Sequence, residues 1–172
     1  DMLALAEHLD GQDVAFVAPQ AAGHTWYPAS FLAPPPVNQA GIASAHQVIE
    51  SIIHSIETRR STPVPIALLG FSQGACLAGD HAFRFPRRYA FIAGLTGGLI
   101  GPPGTTFEED GTLTGTRVFL GAGDPDPHVP WARVEESARV LEQMDASIDL
   151  VRYENAPHAV LPDQVVRVRE LV

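Results

Sequence analysis

Lysine is missing from the 172 residues, and all 11 basic residues are arginine. That excludes Schiff-base catalysis, pyridoxal phosphate anchored in the usual way, and a P-loop lysine. A single cysteine, Cys76, leaves no internal disulfide and no cysteine-based metal site. The expected compartment is the cytoplasm. No apolar run approaches the length of a transmembrane helix, so stable membrane insertion is not expected. Positive charge is scarce, with 20 acidic residues against 11 basic and a net charge of −9. This argues against nucleic acid and anionic membrane surfaces as partners. Repeats, linkers and low-complexity tracts are also lacking, so one domain over residues 1–172 is expected, large enough for a sizeable core.

What is present alternates between two periodicities. Residues 2–9 place Met2, Leu5 and Leu9 on one helical stripe, which Asp10-Gly11 stops. The apolar run 14–18 ends at Pro19 and reads as a buried strand. Residues 19–37 form a long loop carrying Trp26, Tyr27, Phe31 and Leu32. Residues 38–60 give the clearest helix, with Ile42, Ala45, Ile49, Ile52, Ile53 and Ile56 on one face and Arg59-Arg60 at its end. Further strands are predicted at 64–69, 89–94, 116–121 and 148–153, the last alternating as a strand near an edge does. Helices are predicted at 75–83, 130–145 and 162–172. Strand-helix alternation means an α/β chain with a mostly parallel sheet. Ligands of such sheets bind beyond the strands' carboxyl ends, at the loops after residues 18, 69, 93, 121 and 153.

One of those loops is Gly70-Phe71-Ser72-Gln73-Gly74, lying between an apolar strand and a helix. This is the G-x-S-x-G nucleophile elbow. Its serine takes strained backbone angles to lift the hydroxyl above the sheet, and glycines let neighbouring backbone pass closely. The Gln73 N–H opens a helix and is aimed at an oxyanion formed near Ser72. A serine nucleophile needs a base, and the base an orienting carboxylate. The loop after the fourth of the later strands offers His158, and the loop before it offers Asp124 or Asp126. Chemistry alone leaves the choice between the two aspartates open.

The elbow, the stretch Gly123-Asp124-Pro125-Asp126-Pro127-His128-Val129-Pro130 and the stretch Tyr153-Glu154-Asn155-Ala156-Pro157-His158 together resemble the phospholipase/carboxylesterase family of α/β-hydrolases, which includes acyl-protein thioesterases. The resemblance implies an α/β-hydrolase fold and cleavage of a small-molecule carboxylic ester or thioester without a metal or organic cofactor. It implies a triad of Ser72, Asp126 and His158, since the family's acid opens an Asp-Pro-x-Val-Pro stretch. Asp124 is then a loop-shaping neighbour. His128 stands where the family more often has an apolar residue. The family's second oxyanion donor comes from an upstream His-Gly loop, after a strand in mid-sheet. No such stretch stands in this sequence, so the 172 residues are expected to be part of a longer protein, lacking its N-terminal strands and oxyanion loop.

Several residues carry competing readings. Trp26, Tyr27 and Phe31 on the rim loop, with Leu95, Leu99 and Ile100, are expected to wall an acyl pocket. His46, Glu50 and His54 have metal-like spacing, but read as the solvated side of a long helix. Asp124, Asp126 and His128 read as triad surroundings rather than metal ligands. Cys76 reads as a small core residue, Trp131 as packing, and His24 as a loop residue or substrate contact. Against the hydrolase stand two alternatives. One is a non-catalytic binding protein of the same fold, the other a dienelactone-hydrolase-like enzyme, whose group normally carries cysteine where this chain has Ser72.

Overall fold

The computed structural model describes residues 2–9, 14–59, 61–108 and 110–172. The proposed helix stop at Asp10-Gly11 and the Arg60 end of the second helix lie outside them. Four strands form one parallel sheet in chain order: β1 Leu68–Phe71, β2 Phe91–Leu95, β3 Arg117–Asp124 and β4 Ser147–Glu154. Helices α1 Met2–His8, α2 Pro35–Thr58, α3 Gln73–Arg84, α4 Trp131–Gln143 and α5 Pro162–Leu171 flank them.

The two-residue period of the strands sorts side chains to the two faces. Ile92, Val118 and Leu120 face a core completed by Ile53, Cys76, Phe83, Val134 and Leu141 from α2, α3 and α4. Phe91, Ala93, Leu95 and Phe119 face Leu9 and Val168, with Leu5 packed beside them. Each fully buried side chain of this kind contributes about 1.5–3 kcal/mol. β4 alternates between half-buried and exposed positions except at Asp149-Leu150, where both neighbours are exposed, and it lies at the edge of the described sheet as the sequence pattern predicts. Because all four strands run the same way, their carboxyl ends share one rim.

Three expectations are corrected. Residues 14–18 form no strand; they run extended without a ladder, and Val14, Phe16 and Val17 are 40–58% exposed. An apolar run becomes a buried strand only beside a pairing edge, and none of the described strands lies next to this one. The strand expected at 64–69 is displaced to Leu68–Phe71, so the first elbow glycine is itself a strand residue.

The third correction concerns α2. His46 is buried and Glu50 half-buried, not solvated. His46 Nε2 lies 3.0 Å from Asp80 Oδ2, His46 Nδ1 lies 3.1 Å from His81 Nδ1, and His81 Nε2 lies 3.0 Å from Glu50 Oε1. Arg84 donates to Asp80, and Arg87 to both Glu50 oxygens. A hydrogen-bonded line thus runs from Asp80 through both imidazoles to Glu50. Burial, and then the charge of neighbouring His46, pushes His81 down to about 4.

The sign of the resulting pH dependence follows. The unfolded chain protonates His81 near 6.5, the folded chain only near 4. Its contribution is fully present above pH 6.5 and is lost as pH falls towards 4, amounting to roughly 3 kcal/mol. Urea denaturation at pH 7, 5.5 and 4.5 is expected to show this decline, and His81→Gln is expected to flatten it. Parallel curves for the two proteins would contradict the assignment.

Candidate active site

The elbow is built by one close approach. Ser72 joins β1 to α3 at φ 53° and ψ −117°, a region costly for a residue with a Cβ. Its N–H donates to Leu95 O at 2.9 Å, and its C=O accepts from Cys76 N at 3.0 Å. A Cβ on Gly70 would lie 2.2 Å from the Gly74 carbonyl and 2.5 Å from Ala75 N. Only glycine fits there. Gly74 differs from expectation, since a Cβ on it meets nothing within 4 Å among the described residues.

His158 comes from the loop after β4. Its Nε2 lies 2.8 Å from Ser72 Oγ and its Nδ1 2.8 Å from Asp126 Oδ2. The Asp126 side chain is fully buried, while that of His158 is 20% exposed. Asp126 Oδ1 accepts two backbone N–H groups, from His128 and Val129, each at 2.8 Å. Burial alone would raise this carboxyl. The His128 N–H, the His158 ring and the Val129 N–H outweigh it and hold the group below the ordinary carboxylate range. An ionised Asp126 makes His158 Nδ1 the donor, leaving Nε2 to accept the Ser72 hydroxyl proton. Asp124 is engaged elsewhere, paired with Arg152 across β3 and β4.

This is three loops, in the order serine, acid, histidine, on one rim of a parallel sheet. The sequence profile of the phospholipase/carboxylesterase family matches residues 13–172. The chain belongs to that family. A phospholipase/carboxylesterase from Dyadobacter fermentans is 40% identical, with a TM-score of 0.83 over 88% of this chain and 73% of its own. The Bacillus cereus carboxylesterase, 20% identical, shares the fold at a TM-score of 0.73 over 98% of this chain and 79% of its own. No curated protein matches the sequence. Family and neighbours make this an α/β-hydrolase fold and indicate an esterase type of hydrolase. Among the described residues no helix is long and apolar enough to cross a membrane.

Around the site, this family member departs from the expected acyl wall. Tyr27 and Phe31 are 3% and 6% exposed and belong to the main core. Leu99 and Ile100 join them there, and Leu95 is fully buried on the other face of the sheet. Leu95 ends β2 at the rim, where its carbonyl meets Ser72 N, but its side chain is fully buried in the core that holds Leu9 and Val168. Trp26 alone of the expected wall stays half-buried. His24 is exposed. Cys76 is buried, as a core residue should be, and burial pushes its thiol up to about 12.

Two rings stand near His158: His128, which the sequence already marks as a departure from the family pattern, and Phe71, which sequence reasoning missed. Phe71 lies 5.2 Å away, centroid to centroid, and exposed His128 meets it edge-on at 4.9 Å. The signal for Phe71 was adjacency to the elbow serine; for His128, adjacency to the acid. The Gln73 backbone N–H opens α3 and is one of the N–H groups a helix start leaves unpaired within the helix. A cleft of about 610 Å³ walled by Phe83, Phe107, Val140 and Met144 includes none of these residues.

Proposed function

We propose that this protein is a serine hydrolase that cleaves carboxylic esters or thioesters through an acyl-enzyme on Ser72. The observation that carries the reading is the unbroken hydrogen-bonded line from Ser72 through His158 to buried Asp126. His158 Nε2 takes the hydroxyl proton as Ser72 Oγ attacks the acyl carbon. The carbonyl oxygen becomes an oxyanion, and the Gln73 backbone N–H donates to it at the α3 N-terminus, where the helix field favours negative charge. The tetrahedral species collapses, and the imidazolium passes its proton to the leaving alcohol or thiol. Water then attacks the acyl-enzyme with His158 again as base, releasing the acid and restoring Ser72. Asp126 stays ionised throughout, fixing the tautomer and stabilising the imidazolium. Trp26 is assigned to the wall of the acyl site.

A fluorophosphonate probe tests the reading. One covalent adduct is expected, located on the peptide containing Ser72 by mass spectrometry. A protein that stays unlabelled while folded would leave a binding protein of hydrolase fold in place of an enzyme.

A further inference from the structure

The side chain of Gln73 has a task separate from that of its backbone. Its Oε1 accepts from the Trp26 N–H at 2.7 Å, and its Nε2 donates to Tyr27 O at 2.9 Å. Thr25 Oγ1 lies 3.2 Å from Nε2 and 3.3 Å from Oε1, and 2.9 Å from Tyr27 O. A hydroxyl has one proton to give. Given to Tyr27 O, the shortest of these contacts, it leaves Thr25 Oγ1 to accept from Nε2. Both amide protons and the amide oxygen of Gln73 are then spent on Thr25, Trp26 and Tyr27. Only a primary amide of this reach supplies two donors and an acceptor in one plane. A carboxylate would set oxygen against oxygen at Tyr27, and an aliphatic side chain would take the acceptor from the Trp26 N–H and leave Thr25 Oγ1 and Tyr27 O only each other.

The segment it holds needs holding. Residues 25–27 join no sheet, and they follow a 3₁₀ turn in which Gly23 and His24 both have positive φ, 62° and 60°. The far end of the same loop is tied by another amide: buried Asn38 accepts from Ala29 N at 2.9 Å and donates to Ser30 O at 2.7 Å. Of these two ties, that of Gln73 adjoins Ser72 in the chain. It brings the Trp26 backbone within one side chain's length of the nucleophile.

We propose that the Gln73 side chain is a positioning residue which pins Thr25–Tyr27 against the elbow and so sets the acyl chains accepted at Ser72. The specificity part rests on the serine-hydrolase reading; the clamp itself does not. The test uses a Trp131→Phe background, in which Trp26 is the remaining tryptophan of residues 1–172; any tryptophan outside them is replaced by Phe as well. Trp26 emission, and kcat and KM on acetyl and octanoyl nitrophenyl esters, are compared between this parent and its Q73A and Q73E variants. Q73A is expected to red-shift the emission. Its octanoyl-to-acetyl ratio of kcat/KM should fall about tenfold, the size of one lost hydrogen-bond contribution, chiefly through KM for octanoyl. Q73E should show the same shift at pH 8 and return towards the parent emission on acidification, as the introduced carboxyl regains a proton for Tyr27 O. The parent, titrated alongside, carries the contributions of His24 and His158. This reversal separates a lost clamp from a misfolded variant. Emission of folded Q73A identical to the parent's overturns the clamp. Shifted emission with the chain-length ratio within about twofold of the parent's overturns the specificity role. A parent that neither labels nor cleaves esters counts against the hydrolase reading alone, since emission still judges the clamp.

Discussion

Replacement of Ser72 by alanine is expected to abolish ester cleavage and leave the fold intact. Alanine keeps the Cβ, so the backbone at φ 53° is no worse off than with serine. The bonds from Ser72 N to Leu95 O and from Cys76 N to Ser72 O are made by main chain and survive the change. What disappears is the hydroxyl 2.8 Å from His158 Nε2, and that ring is exposed enough to turn to water. Loss of a triad nucleophile costs on the order of 10⁶ in kcat, leaving only what binding and the oxyanion donor supply. Hydrolysis of nitrophenyl acetate gives the rate, and far-UV circular dichroism the fold. Undiminished turnover in the folded variant would remove Ser72 from the reaction.

The second large effect is expected at Asp126→Asn, and the geometry says why. Two backbone donors, His128 N and Val129 N, converge on Oδ1. In asparagine only the carbonyl oxygen can accept them, so the NH₂ is forced towards His158 Nδ1. That nitrogen must then accept, its proton moves to Nε2, and Nε2 can no longer take a proton from Ser72. The variant should fold, bind and yet turn over about 10⁴-fold more slowly, with kcat rather than KM carrying the loss. Asp124→Asn is the internal control. Its carboxylate is turned to Arg152, so its effect on kcat should be far smaller. Equal losses in the two variants would remove Asp126 from its assigned position.

The elbow and the order of the three loops could be read from the sequence because local rules write them. A glycine two residues before the serine is demanded by a 2.2 Å approach, and proline-spaced Asp126 by the tight turn that aims two N–H groups at it. What escaped depended on residues far apart in the chain. His46 and His81 are separated by 35 positions, and nothing in the periodicity of α2 distinguishes a histidine facing water from one facing another histidine. The run at 14–18 has the composition of a buried strand, yet composition does not say whether an edge is available. Tyr27, Phe31 and Leu95 were expected at the rim because rim loops and strand ends carry them; the core took them because side-chain direction, not chain position, decides. The Gln73 amide was hidden behind its own backbone, which already had a task.

Ser72 is held where most side chains do not go, at a local cost of about 1–3 kcal/mol that the packing around it must offset. Glycine at that position would relax the turn. Even after the greater freedom it grants the unfolded chain, Ser72→Gly is expected to raise the melting temperature while extinguishing turnover. Sturdiness and chemistry therefore pull against each other at a single residue. A lineage that no longer needed the reaction would lose its hydroxyl there first, and its descendants would be hardier for it.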